Sequence, residues 1–327
     1  MKYYECGTGS LHFGDVMSEI GKLADKSVNC VITSPPYWQL RDYGYPEQWG
    51  LEPTFPEYLE HLWSLMDEIW RVLKDDGTVF INLGDTYSTQ SGQTRGTEYG
   101  DAGDKNVMAG KELIKGKLPN KCLLLIPHRF AIGCIDRGWI MRNDIIWAKR
   151  NGMPESCQDR FSKKHEYIFF MVKSQKYYFD LDGVRKVVNL DSVKRKLRGI
   201  SKQNKYNDDG NTLSNPREYQ GYENIDEIVK STLGPNPGDV SDFWDIPTSS
   251  SKSKHYATYN TQLIDKPIIA GCPEGGVILD PFNGTGTTTL RSEQLNRKWI
   301  GIDGSAEYCE IAKHRIIAEQ EQLKMDI

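Results

Sequence analysis

Two short stretches hold residue types that can do chemistry together. Thr33-Ser34-Pro35-Pro36-Tyr37-Trp38 follows an apolar, β-branched run, Val28-Asn29-Cys30-Val31-Ile32, which reads as a buried strand. A hydroxyl, two prolines and an aromatic pair therefore stand where a strand gives way to a loop, the edge at which open α/β sheets bind ligands. Proline has a fixed φ and no N–H donor, so the carbonyls here are held in place and face no competing amides. The Ser34 hydroxyl and the Pro35 carbonyl could accept both protons of an exocyclic amino group. Tyr37 could stack on the ring that carries it, and Trp38 could extend the pocket wall. Such a site suits an aromatic amine, for example a nucleobase taken out of its stack. The alternative is a turn with stacked aromatics.

The second stretch lies near the C-terminus. The apolar run Gly276-Val277-Ile278-Leu279 ends in Asp280. A turn, Pro281-Phe282-Asn283-Gly284-Thr285-Gly286, follows, and a helix opens at Thr287 and Thr288. Glycines in such a turn let a ligand approach the backbone, and the helix start offers free N–H groups. Lys298-Trp299-Ile300-Gly301-Ile302-Asp303 is a second strand ending in an acid, 23 residues after Asp280. An acid there can accept the hydroxyls of a ribose. The turn is neither a G-x-G-x-x-G nor a G-x-x-x-x-G-K-[ST] loop, since no lysine follows Gly286. The expected ligand therefore carries a nucleoside without a phosphate chain, and a nicotinamide-dependent oxidoreductase is the disfavoured alternative.

The elements that must hold these stretches alternate between strand and helix. Leu11 to Asp15 reads as a short strand ending in a turn, with Asp15 placed to cap the helix of Val16, Ile20 and Leu23. Gln39 to Pro53 is rich in Gly, Tyr and Pro and reads as a mobile loop, a lid beside the site. Thr54-Phe55-Pro56-Glu57 matches a capping box, and apolar residues from Leu59 to Leu73 recur at helical spacing. A turn at Asp75-Asp76-Gly77 leads to a strand, Thr78 to Leu83, completing a βαβ unit. Gly84 to Pro119 reads as a long flexible loop. A helix near 127–137, a strand over 139–147, a polar loop over 151–164 and a strong strand, His165 to Val172, follow. From about Lys176 to Lys254 periodicity fades, as in an inserted module set apart from the sheet. The cluster Lys194-Arg195-Lys196-Leu197-Arg198 within it is either a solvated face or a set of phosphate contacts.

Composition narrows the class. The chain has 327 residues and a formal net charge of −4, so any nucleic-acid contact must use a local patch. Seven cysteines are scattered without a C-x-x-C pair, which fits a reducing cytosol and no zinc site. The N-terminus lacks a signal-peptide apolar region. The most apolar span, Leu123 to Met141, is broken by Pro127, Arg129, Asp136 and Arg137, which argues against a membrane-spanning helix.

Asp280-Pro281-Phe282-Asn283-Gly284-Thr285-Gly286-Thr287-Thr288 resembles the S-adenosylmethionine loop of the amino-group DNA methyltransferases. Ser34-Pro35-Pro36-Tyr37 resembles their catalytic tetrapeptide, [DNS]-P-P-[YFW]. The catalytic motif precedes the cofactor motif by about 245 residues, an order similar to that of the β-type members. Gly14-Asp15 resembles the acidic turn that meets the cofactor adenine. Arg142 to Lys149, with Arg160-Phe161 and His165-Glu166-Tyr167, resembles the sheet-reversal region. His255-Tyr256-Ala257-Thr258-Tyr259-Asn260 resembles the segment before the cofactor strand, although it departs from the common H-P-x-Q-K-P version.

This resemblance implies an α/β, Rossmann-like methyltransferase fold: a mixed, mostly parallel sheet with helices on both faces. It implies a catalytic half over 1–175, a target-recognition insert over 176–254 and a cofactor half over 255–327. S-adenosylmethionine would be held by Asp15, Asp280, Pro281, Phe282, Gly284, Gly286, Thr287, Thr288 and Asp303. Ser34, Pro35, Pro36 and Tyr37 would be catalytic. Lys194, Arg195, Lys196 and Arg198 would meet double-stranded DNA, the substrate. Serine at the first motif position implies methylation of cytosine N4, with adenine N6 as the runner-up. C5 methylation needs a thiolate nucleophile, and the chain has no Pro-Cys pair. A non-catalytic DNA-binding module is disfavoured by the intact Ser34-Pro35-Pro36-Tyr37. The resemblance suggests a cytoplasmic enzyme and leaves open a cognate restriction endonuclease and a homodimer.

Overall fold

The Thr54 hydroxyl accepts the Glu57 amide at 3.4 Å and Pro56 sits in the first turn, so helix α2, Phe55–Val72, begins where a capped, proline-started helix should. Its buried stripe, including Tyr58, Leu62, Met66 and Ile69, faces a sheet. The computed structural model describes residues 1–45, 47–88, 118–152, 154–185, 240–248 and 260–325. Among them the strands are β1 Lys2–Glu5, β2 Gly9–Phe13, β3 Val28–Thr33, β4 Leu73–Leu83, β5 Ile140–Ala148, β6 His165–Val172, β7 Phe243–Asp245, β8 Val277–Asp280 and β9 Lys298–Asp303. The other helices are α1 Val16–Ile20, α3 Ile126–Asp136, α4 Thr261–Gly271, α5 Thr287–Gln294 and α6 Ala306–Met325.

All nine strands join one sheet, in the order β1-β2-β9-β8-β3-β4-β6-β5-β7. Strands β2, β9, β8, β3 and β4 run parallel, and β6 runs antiparallel to β4 and β5. Successive side chains of a strand point to opposite faces, and both faces here are apolar. Val31, Val79, Ile81, Phe169 and Met171 pack toward α1, α2 and α3, whereas Cys30, Ile32, Phe80, Phe170 and Val172 pack toward α4. A third cluster joins Leu11 and Trp299 to Ala312 and Ile316 of α6. The mixed α/β sheet with helices on both faces is thus the expected one.

The long strand differs from the reading in one place. Asp75-Asp76-Gly77, read as a turn, lies within β4. The ladder to β3 pairs Val28 with Leu73 and then Cys30 with Thr78, so the extra residues are taken up as an irregularity instead of a reversal.

The chain divides into two compact units, Met1–Asp180 with Asp242–Ile327, and Leu181–Ser241. Residues 176–180 and 242–248, read as part of the insert, belong to the first unit: the Tyr178 amide donates to Asp76, the Asp180 amide to Ala270, and β7 pairs with β5. The described part of the second unit contains a short 3-10 turn, Asp182–Val184. The cluster Lys194, Arg195, Lys196 and Arg198, most of the expected loop over 84–119, and residues 255–259 lie outside the described residues. No helix among the described residues is long and apolar enough to cross a membrane.

Candidate active site

The sheet order creates a crevice. From β3 the chain crosses through α2 to β4 on one side; from β8 it crosses through α5 to β9 on the other. The loops leaving these adjacent parallel strands therefore part in opposite directions, the switch point at which open sheets bind ligands. A hydrogen bond spans the crevice floor: the Thr33 hydroxyl donates to Asp280 Oδ1 at 2.6 Å, although the two are 247 residues apart. Because β6 is antiparallel, its first residues share this edge with the last residues of β4 and β5. A cavity of about 480 Å³ opens here, lined by Ser34, Pro35, Pro36 and Tyr37 on one wall and Phe282, Asn283, Gly284, Thr285, Thr287 and Asp303 on the other. That volume suits a small organic ligand.

The proline pair is anchored from behind. The Tyr58 hydroxyl donates to the Pro36 carbonyl at 2.8 Å, the Gln39 amide to Gly50 at 2.6 Å, and the Trp38 indole to the Glu52 carbonyl at 2.9 Å. Among the described residues no protein donor reaches the Pro35 carbonyl. Among the described residues the Ser34 hydroxyl has only long contacts, 3.4 Å from Asn82 Nδ2 and 3.5 Å from the Tyr37 hydroxyl. Two neighbouring acceptors are thus left to a ligand. The Tyr37 hydroxyl donates to Glu166 Oε2 at 2.7 Å and accepts from Asn82, whose amide also donates to Glu166 at 2.9 Å. Lys149 pairs with the other Glu166 oxygen and lies over the Trp147 ring. Burial, and then the Glu166 carboxylate, push the Tyr37 hydroxyl well above the ordinary tyrosine range, so it stays a neutral donor. Tyr37 also packs against Gly84, where a Cβ would lie 2.6 Å from its ring.

On the opposite wall the turn is held by its own backbone. Gly284 and Gly286 have φ of +49° and +81°, a region that favours glycine. Asp303 closes β9 and accepts the Gly284 amide at 2.7 Å and the Ser305 amide at 2.8 Å. Burial pushes its carboxyl up to about 6 against the pull of those two amides, and the Asp280 charge adds to the rise. A Cβ on Gly284 would meet nothing within 4 Å, so a ligand can come close to this backbone. Asn283 Nδ2 is buried without a partner among the described residues. An acceptor for a diol and an open glycine fit a nucleoside. Tyr43, Tyr45 and Tyr308 supply an aromatic side to the same cavity. Tyr43 and Tyr308 meet edge to face at 6.3 Å, and a Cβ on Gly304 would lie 2.6 Å from the Tyr45 ring.

Ser34, Pro35, Pro36, Tyr37, Phe282, Gly284, Thr287 and Asp303 therefore share one cavity. Asp280, Pro281, Gly286 and Thr288 are not among the residues that line it. Asp280 takes the Phe282 amide as well as the Thr33 hydroxyl, and Thr288 is buried in α5. Asp15 does not line the cavity; its carboxylate accepts the Ser18 amide at 2.8 Å and caps α1. Trp38 also lies elsewhere, 3% exposed and packed on Phe55 in the core. The reading of the motifs missed Asn82, Lys149, Glu166 and the tyrosines of the loop after Trp38. The signal was present: Asn82 and Glu166 are polar residues next to the apolar, buried runs 79–81 and 168–172, at the loop ends of their strands. The loop itself is tied down, with Gln48 holding the Tyr43 amide and the Arg41 carbonyl, and the Glu52 carboxylate accepting the Gly50 amide.

Comparison with known proteins places this geometry in a family. The DNA methylase family model, which spans N6 and N4 amino-methyltransferases, matches residues 28–314. The type II methyltransferase M.Cfr9I of Citrobacter freundii is 34% identical over 319 residues, covering 96% of this chain and 90% of its own. M.SmaI of Serratia marcescens is 33% identical over 307 residues, covering 93% and 89%. Among solved structures, the PvuII DNA methyltransferase, described as cytosine-N4-specific, superposes with a TM-score of 0.61 at 18% identity, covering 96% of this chain and 88% of that one. A Thermus thermophilus protein described as a putative DNA modification methylase, complexed with S-adenosyl-L-methionine, gives 0.54 at 20% identity and covers 94% and 95%. The chain is a member of the DNA methylase family of amino-group methyltransferases.

Proposed function

We propose that this chain methylates the exocyclic N4 of a cytosine turned out of duplex DNA, as the modification enzyme of a restriction–modification system. The methyl donor is S-adenosylmethionine, which when bound supplies a sulfonium methyl as the electrophile. One observation carries the reading. The two open acceptors, Ser34 Oγ and the Pro35 carbonyl, line the same cavity as Gly284 and the Asp303 carboxylate.

The amine of a nucleobase is a poor nucleophile because its lone pair is delocalised into the ring. Hydrogen bonds from its two N–H groups to Ser34 and Pro35 favour a tetrahedral nitrogen and aim the lone pair across the cavity. Most of the rate then comes from position and preorganised dipoles. Tyr37, fixed by Glu166 and Asn82, presents its ring to the base; stacking returns about 1–3 kcal/mol toward the expense of flipping. Asp303 accepts the ribose hydroxyls, and Gly284 lets the nucleoside approach.

The hydroxyl of serine permits cytosine without excluding adenine, since both bases carry their amine beside an acceptor ring nitrogen. The choice of cytosine rests on the resemblance to the Ser-Pro-Pro-Tyr members. A hydroxyl can accept from the amine and donate to a ring nitrogen, whereas a carboxylate only accepts. The N4 specificity described for the PvuII enzyme agrees with this choice. The type II relatives support a place beside a cognate endonuclease, in the cytoplasm where the DNA lies. Lys194, Arg195, Lys196 and Arg198 are assigned to phosphates within the target-recognition insert.

The test is expression in a host free of DNA methylation, followed by sequencing that separates N4-methylcytosine from N6-methyladenine. N4-methylcytosine at one short recurring site is expected. N6-methyladenine would overturn the base assignment, and unmodified DNA from soluble, cofactor-binding protein would overturn the function. Ser34→Ala should abolish transfer while leaving cofactor affinity unchanged.

A further inference from the structure

We propose that Phe161 is the side chain that enters the base stack when the target base leaves it, an inference that rests on the DNA-methylating function proposed above. Phe161 is 98% exposed, the most exposed of the large hydrophobic residues described. A lone ring in water does nothing for the fold, yet the backbone around it is firmly held. The Arg160 guanidinium lies 4.0 Å over the Tyr87 ring, pairs with Glu155 and donates to the Phe161 carbonyl at 3.2 Å. Asp159 pairs with Lys121 at 2.5 Å, and Lys163 donates to the Asp85 carbonyl. The Lys149 amide closes the loop on the Lys164 carbonyl at 2.8 Å. A ring projected from a fixed loop loses little conformational entropy on binding.

The place of the loop selects the partner. It joins β5 to β6, and its two flanks supply Lys149 and Glu166 to the cavity. Phe161 is five residues from Glu166, a span of at most ~18 Å, short enough for one bound duplex to meet both. Residues 149–164 hold five cations and two acids. Lys149 and Arg150 also pair with Glu166 and Asp245 outside the loop, and the modest excess that remains suits a polyanion. Apolar wedges inserted between base steps are a general means of distorting a duplex. A flipped base leaves a gap that an aromatic ring can fill by stacking.

The experiment uses the whole enzyme and duplex oligonucleotides carrying the mapped target site. One duplex is fully paired; the other has an abasic position opposite the target, which removes the pairing that resists flipping. Phe161→Ala should lower kcat/KM on the paired duplex by about 5- to 150-fold, the worth of one stacking contact. It should come within a few-fold of the unaltered enzyme on the abasic duplex. Phe161→Trp should keep the rate on both. Fluorescence of 2-aminopurine at the target should fall in Phe161→Ala, and the salt dependence of binding should be unchanged. Equal losses on the two duplexes, or no loss on either, would overturn the wedge. If the unaltered enzyme methylates neither duplex, the parent function fails instead.

Discussion

Lowering the pH from about 7.5 to about 5 should weaken the affinity of this enzyme for S-adenosylmethionine roughly tenfold, and one carboxyl group should account for it. Asp303 is 9% exposed, and burial raises its pKa from 3.8 to about 6 even though the Gly284 and Ser305 amides favour the ionised form. Only the carboxylate can accept both hydroxyls of a ribose while keeping those two amides. At pH 5 a group with a pKa near 6 is ionised about one time in eleven, equivalent to about 1.4 kcal/mol of lost binding. The sign for folding is opposite. A carboxyl raised in the folded state adds stability below its unfolded value of 3.8 and loses it as pH rises through about 6, up to ~3 kcal/mol. The unliganded fold thus gives up stability at neutral pH to hold an ionised acceptor, and ligand binding near pH 6 should release a proton. Calorimetry in two buffers of different ionisation enthalpy measures both the affinity and that proton. Asp303→Asn should bind weakly and show no pH dependence in this range. An affinity flat from pH 7.5 to 5 in the unaltered protein, or a slope that survives Asp303→Asn, would refute the reasoning.

The other walls of the site give further expectations. Gly286→Ala should lower stability by about 2–4 kcal/mol in urea titration, since φ is +81° and the new Cβ would stand 2.7 Å from Ala312 Cβ. Gly284→Ala, whose Cβ meets nothing, should fold with a loss of about 1–2 kcal/mol and weaken cofactor binding instead. Glu166→Leu removes the acceptor that aims Tyr37 and should slow methyl transfer on the order of 10- to 100-fold with little change in cofactor affinity. Glu166→Gln, which can still accept from Tyr37, should lose less. Trp38→Ala should destabilise by about 3–5 kcal/mol, with a smaller loss of transfer per folded molecule than Tyr37→Ala shows.

The sheet was legible because its signals are local. Residues 298–303 and 165–172 alternate or run apolar over single strands, and their bounds match the structure. The two ligand loops were legible for the same reason, since each is one contiguous string. What escaped was assembled from several strands at once. Glu166 meets Tyr37 across 129 positions and Asn82 meets it across 45. No spacing within one segment announces such a triad. Asp15 and Trp38 show the reverse. Each sits beside a ligand motif in sequence, but the Asp15 carboxylate caps α1, as its place before that helix led one to expect, and the Trp38 indole turns into the core and donates to the Glu52 carbonyl. Adjacency along the chain fixes the backbone, while the direction of a side chain is decided by what lies on each face.

The site also shows why a polar cluster can be tolerated at the edge of so apolar a sheet. Residues 79–81 of β4 and 168–172 of β6 are apolar and buried, and the polar Asn82 and Glu166 stand beside these runs toward the loop end. An unpaired carboxylate there would be expensive to bury. Lys149, Asn82 and the Tyr37 hydroxyl all converge on it, so the charge is met before any ligand arrives. The acceptors of Ser34 and Pro35, by contrast, belong to neutral groups, whose desolvation is far less costly and can be left to the incoming amine. The ligand's two N–H groups then make hydrogen bonds that the empty protein lacks. On the proposed reading, the groups left open are those that the reacting nitrogen would need, and the groups that steer them are already satisfied. A site built in this way would hold its geometry without the ligand and still gain hydrogen bonds as the ligand approached the transition state.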